Sequence, residues 1–175
     1  MDDRRPEFAE AVGFSRANVA NLVGVPQSRL NNWIDRNQLW QTGDGLSLRS
    51  HYRLRHVFDL AGFAAMRVAY VPETKCAMFT RNFGFYRKFL SGDQLAEFSY
   101  RNDDWDIGVY DPSAIVALIV NMRTVGCDIF ARLARELSQN PESEIFQNFK
   151  SLYQEFVKLD RLPSGVASEF ERVSV

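Results

Sequence analysis

Cysteine is scarce in this chain: Cys76 and Cys127 are the only two, 51 positions apart, with no CxxC and no Cys/His cluster around either. That usage excludes a disulfide framework and a thiolate zinc site. Histidine is equally sparse, with His51 and His56 alone. Long apolar runs are missing, since none approaches the ~20 residues that cross a bilayer. The opening Met1-Asp-Asp-Arg-Arg-Pro6 has nothing of a secretory leader. No membrane partner and a cytoplasmic location are therefore expected. Net charge is also nearly absent, at −1 over 175 residues. What the chain does have is apolar substance, 46% of residues with 14 Phe, ample for a packed core and contrary to disorder.

The near-neutral total hides an uneven distribution. Residues 1–13 carry Arg4 and Arg5 against Asp2, Asp3, Glu7 and Glu10, a balance of −2. Residues 14–69 carry Arg16, Arg29, Arg36, Arg49, Arg53, Arg55 and Arg67 against Asp35, Asp44 and Asp59, a balance of +4. The remaining −3 belongs to 70–175. A basic module followed by a mildly acidic one is the pattern of a nucleic-acid binder with an attached control domain.

Within the basic segment, Ser15 is a suitable N-cap for a short helix ending at Val23, with Val19, Leu22 and Val23 as its apolar stripe. Ala20 is small where a second helix would cross. Gly24 supplies a left-handed stop, and Pro26 suits the first turn of a new helix running to about Arg36. That helix is expected to bury Leu30, Trp33 and Ile34. It leaves Gln27, Ser28, Arg29, Asn31, Asn32 and Arg36 for the major groove, where Arg pairs with guanine and Asn or Gln with adenine. Gly43 and Gly45 around Asp44 signal a hairpin, followed by the alternation of Leu46 and Leu48 with Ser47 and Arg49. A third helix is read from about Leu54 to Ala69, with Leu54, Val57, Phe58, Ala61, Ala65 and Val68 on one side.

This order, with Asn37-Gln-Leu39 closing the second helix and an Arg-rich wing leading through Tyr52-Arg-Leu54 into the third, resembles a MerR-type winged helix-turn-helix domain. Excisionase and small-terminase domains share the layout. The resemblance covers about residues 14–69. It implies that the second helix enters the major groove and that the wing, 43–55, holds adjacent phosphates. By position it implies Arg49, His51, Tyr52 and Arg53 for the backbone, with Arg16 and Arg55 beside them. Asn37 stands where the family usually carries Gly, and His56 near a usual Asp. The missing cysteines disfavour the metal sensing common in that family. His51 and His56 lack a third ligand, so no metal site is expected there.

Val71-Pro72-Glu73 breaks the third helix and is expected to begin a second domain, 71–162. An aromatic stripe of Phe79, Phe83, Tyr86 and Phe89 reads as one core helix over 74–90. Alternation over 97–101 and 105–110 predicts a β-hairpin whose aspartates, Asp103, Asp104, Asp106 and Asp111, form a solvated turn without calcium-loop spacing. Asp111-Pro112 reads as the start of a long helix to about Ser138, with Gly126 at a close contact. A last helix from near Pro141 places Ile145, Phe149, Leu152, Phe156 and Leu159 at coiled-coil spacing. The tail, 163–175, reads as irregular.

The expected fold is thus mainly α with small β elements, a winged helix-turn-helix followed by a helical domain containing a hairpin. No phosphate-cradling Gly loop and no Ser/His/Asp set is visible, so neither an enzyme nor a cofactor is expected. The partners expected are double-stranded DNA and a second copy of the chain, since one short recognition helix reads few base pairs. The segment after residue 70 is left open to a protein partner or a small effector, the latter in a pocket lined from 79–110. A phage-type architectural factor and a protein-interaction module without DNA binding are the competing readings.

Overall fold

A computed structural model describes residues 12–40, 52–92, 95–101, 104–107, 114 and 116–172. Helix α1, Arg16–Val23, and helix α2, Gln27–Arg36, precede α3, Leu54–Val68. Two short helices follow, α4 over Glu73–Phe83 and α5 over Phe85–Ser91. Strands β1, Leu95–Arg101, β2, Asp104–Ile107, and β3, Val116–Asn121, form an antiparallel sheet in the order β2-β1-β3. Helices α6, Met122–Leu137, α7, Glu144–Lys158, and α8, Ser168–Arg172, complete the described chain. No helix among the described residues is long and apolar enough to cross a membrane.

The centre is α3. It buries Leu54, Val57, Phe58, Leu60, Phe63 and Met66, residues that spread around its circumference instead of lining one stripe. It packs on α1, α4, α5, α6 and β3. The expected stripe placed Val68 inward, but this residue is 80% exposed because the helix end leaves the core there. The break expected after residue 70 is present in the helix and absent from the packing. One continuous set of buried side chains runs from Phe14 to Phe170, so 14–70 and 71–162 share a core.

Local chemistry explains four departures from the sequence reading. The aromatic stretch is two helices, because Gly84 takes φ 66° and turns the chain after Phe83. The hairpin is present, with Arg101 opposite Asp104, but residues 116–121 add a third strand where a helix was expected. Val116 to Val120 is an apolar run that suits either structure, and from Leu118 onward its burial alternates: Val120 is buried opposite Ala96, Ile119 half-exposed opposite Glu97. The helix begins later, at Met122, where the Asn121 side chain accepts from Thr124 N–H at 3.1 Å. In α7, Phe146 and Tyr153 are buried alongside Phe149, Leu152 and Phe156, while Ile145 and Leu159, the ends of the expected seam, are exposed. The tail expected to be irregular holds α8, whose Phe170 is buried against Phe146 and Tyr153.

Gly126 sits at a close contact, as its place in the helix implied. A Cβ there would lie 2.6 Å from the ring of Phe89, which is held between Phe58 and Phe156. Two ionisable groups are buried on α3 within one turn. The neutral His56 ring accepts the Arg53 N–H at Nδ1, 2.9 Å away, and burial first, then Arg55 and Arg53, lowers its pKa to about 4. Burial raises the Asp59 carboxyl to about 7, against the opposing effect of the Tyr86 and Phe85 N–H groups.

Two predictions arise from this core. Gly126→Ala gains about 1 kcal/mol of helix propensity but forces ~1–3 kcal/mol of overpacking against a ring that cannot yield. Net destabilisation in urea unfolding is expected. The second concerns pH. His56 contributes stability fully above about pH 6.5, lost as pH falls towards 4; Asp59 contributes below its ordinary 3.8, lost as pH rises through about 7. Their slopes oppose one another between those limits. Asp59→Asn removes one of them, so the variant gains on the wild type, by up to about 4 kcal/mol, between pH 4 and 7.5. Denaturant titrations at both pH values measure the difference.

Candidate nucleic-acid interface

The first helix of the candidate site is closed at its start by Ser15. Its hydroxyl accepts the Asn18 N–H at 3.1 Å, and Asn18 Oδ1 accepts the Ser15 N–H at 3.2 Å. At its end Gly24 takes φ 78°, and the N–H groups of Gly24 and Val25 both donate to the Ala20 carbonyl, at 2.8 and 3.0 Å. The chain re-enters helix directly after Pro26. Small Ala20 is only 2% exposed.

Helix α2 divides cleanly. Leu30, Trp33 and Ile34 are buried, with the Trp33 ring 4.9 Å from that of Phe63 on α3. Gln27, Ser28, Arg29, Asn32 and Arg36 are exposed, and Asn31 is half-buried. All six nominated residues therefore lie on the part of α2 turned away from the core or at its margin. Asp35, exposed on the same helix, was not singled out by sequence. It receives Arg16 through two bonds, Nη2 to Oδ1 at 2.8 Å and Nη1 to Oδ2 at 3.1 Å.

That pair changes the roles of two nominated residues. Arg16 also donates to the Tyr52 hydroxyl at 3.1 Å and to Asn31 Oδ1 at 3.4 Å, so its guanidinium is a strut between α1, α2 and the chain before α3. Asp35 first, opposed by burial, raises its pKa, keeping the charge in place. Tyr52, nominated for the phosphate backbone, is a core residue at 1% exposure, because its backbone bridges Phe14 through N–H···O bonds of 2.7 and 2.9 Å. Its ring packs edge-on to His56 and Trp40. The rest of the expected wing, including Arg49 and His51, lies outside the described residues. Arg53 is half-buried before α3, and Arg55 is exposed on that helix's first turn.

The far end of α2 is held by a network that sequence reasoning missed. The Asn37 amide donates to the Trp33 carbonyl and to Glu73 Oε1, each at 2.9 Å, and Arg81 donates to the Asn37 carbonyl. Glu73 and Arg81 both belong to α4. Asn37 has φ −95°, so the glycine usual in the resembled family would gain nothing from its freedom here. The polar side chain is what the position uses.

At the other end, α6 comes against α1. Asn18 donates to Glu136, and Arg132 Nη1 donates to the Asn21 carbonyl at 3.3 Å. A shallow cleft of about 630 Å³ lies between them, lined by Ala20, Asn21, Gly24, Val25, Arg132, Arg135 and Glu136. The spacing of Arg132 and Arg135 places them on one helix face, but no local signal puts that face beside a turn more than a hundred positions earlier. Of the cysteines, burial pushes Cys76 up to about 12, so it holds no thiolate at neutral pH.

Asn37→Gly removes both side-chain bonds and leaves the Trp33 carbonyl and Glu73 to water. A loss of about 1–2 kcal/mol in thermal or denaturant unfolding is expected, with Asn37→Ser, whose hydroxyl still donates, recovering part of it and Asn37→Asp, a second acceptor facing Glu73, recovering none.

Comparison of the chain with protein-family models, curated proteins and solved structures finds no match.

Proposed function

We propose that this protein is a sequence-specific double-stranded DNA-binding protein of the cytoplasm, a non-enzymatic transcriptional regulator that acts as a dimer. The observation that carries this reading is the split in α2. Its apolar residues are sealed into the core, while Gln27, Ser28, Arg29, Asn32 and Arg36 stand in solvent on a helix that follows a tight glycine turn. Such a helix enters the major groove with its N-terminal side chains on base edges, and the helix before it crosses the backbone. The exposed set supplies the needed donors and acceptors: Arg29 for guanine, Asn32 and Gln27 for adenine.

The division of labour is base reading by Gln27, Ser28, Arg29, Asn31, Asn32 and Arg36, with Arg49, Arg53, Arg55 and His51 on the phosphates. Arg16 and Tyr52 serve the site from behind, by fixing α2 against α1 and α3. Two copies related by a twofold axis would read half-sites about one DNA turn apart, which gives one short helix adequate specificity.

Selection of bound fragments from a random DNA pool tests the reading, with a symmetric site as the expected product. Arg29→Ala and Asn32→Ala should each cost about 1–3 kcal/mol on the selected site and flatten the preference at one position. Arg55→Gln should weaken all DNA alike and lower the salt slope by about 1. Equal losses on selected and random DNA for all three variants, or no binding at low salt, overturn the reading.

A further inference from the structure

The cleft between α1 and α6 has a composition that the helix-turn-helix alone does not require. Arg132 and Arg135 bring two positive charges to it from the opposite half of the chain. The Arg132 guanidinium lies directly over the turn: a Cβ on Gly24 would stand 1.7 Å from its Nη1. Its bond to the Asn21 carbonyl fixes the planar fork while using one of the five N–H donors a guanidinium offers. Arg135 is exposed one turn further along the same face. The carboxylate in the cleft, Glu136, accepts the Asn18 amide at the α1 side. The walls otherwise are the small side chains of Ala20 and Val25, which leave the space open to an anion.

Resting on the DNA-binding reading above, we infer that this cleft is a second phosphate-holding surface, in which Arg132 and Arg135 of α6 clamp the DNA strand beside the groove entered by α2. Position supports it. Val25, in the cleft wall, precedes Gln27 by two residues, a chain length of at most ~7 Å. The cleft thus adjoins the end of α2 that enters the groove, on the helix that crosses the backbone, within the ~12 Å width of a major groove. Guanidinium groups match phosphate oxygens in pairs, and contacts of this kind set register without reading sequence. The control half of the chain would then take part directly in holding DNA.

Arg135 is exposed and makes the cleaner test. With the full chain and a selected duplex, Arg135→Gln should lower the slope of log K against log salt by about 0.9, the release expected for one phosphate. Arg132→Gln with Arg135→Gln should lower it by about 1.8, and Arg135→Glu should lower affinity further. Sequence preference and melting temperature should be unchanged for Arg135→Gln. A wild-type protein that binds DNA while Arg135→Gln and Arg135→Glu keep its slope and affinity overturns this inference and spares the DNA reading. Absence of any DNA binding by the wild type at low salt overturns both.

Discussion

The fold depends on burying one helix from nearly every direction. Leu54, Val57, Phe58, Leu60, Phe63 and Met66 on α3 are all fully buried, and each contributes about 1.5–3 kcal/mol of transfer free energy against a conformational cost of the same order. A helix apolar around its circumference needs neighbours on every side. Here α1 and α2 supply one wall, α4 and α5 a second, and α6 with β3 a third. The pair α1 and α2 is consequently a face of a larger core.

This arrangement fixes α2 at three separate places. Its apolar stripe is seated on Phe63, its middle is tied to α1 by Arg16 and Asp35, and its end is capped by Asn37 with Glu73 and Arg81. Of the residues that the functional reading needs, these contacts engage Asn31 alone, through Arg16, and leave Gln27, Ser28, Arg29, Asn32 and Arg36 in solvent. A helix held rigidly from behind loses little conformational entropy when its outer side chains engage a partner. Asp35 would otherwise present an uncompensated carboxylate next to the proposed reading residues, and Arg16 offsets that charge.

Local chemistry was legible in the residues, long-range placement was not. Ser15, Gly24 and Pro26 specify a cap, a stop and a start within a few positions, and α1 and α2 follow them closely. Leu30, Trp33 and Ile34 were readable as the inner stripe by spacing alone. The segment 116–121 is ambiguous in sequence because a short apolar run fits a strand or a buried helix equally, and only its pairing with β1 decides. Gly84 split the aromatic helix because a left-handed residue overrides a favourable stripe. In α7, Ile145 and Leu159 were drawn into a seam by heptad spacing, yet Phe146 and Tyr153 face the neighbours actually present. Tyr52 looked like a wing residue by sequence position; its pairing with Phe14 takes it inside. Arg132 and Arg135 reach the candidate site through tertiary structure alone.

The unbroken run of buried side chains from Phe14 to Phe170 has a thermodynamic corollary. Structural elements that share a core unfold together, which makes the described helices from α1 to α8 one cooperative unit. Any molecule that prefers the native form of α2 stabilises α8 by the same free energy, although the two need never touch. Hydrogen-exchange protection deep in the last helices would therefore register occupancy of a surface formed by the first.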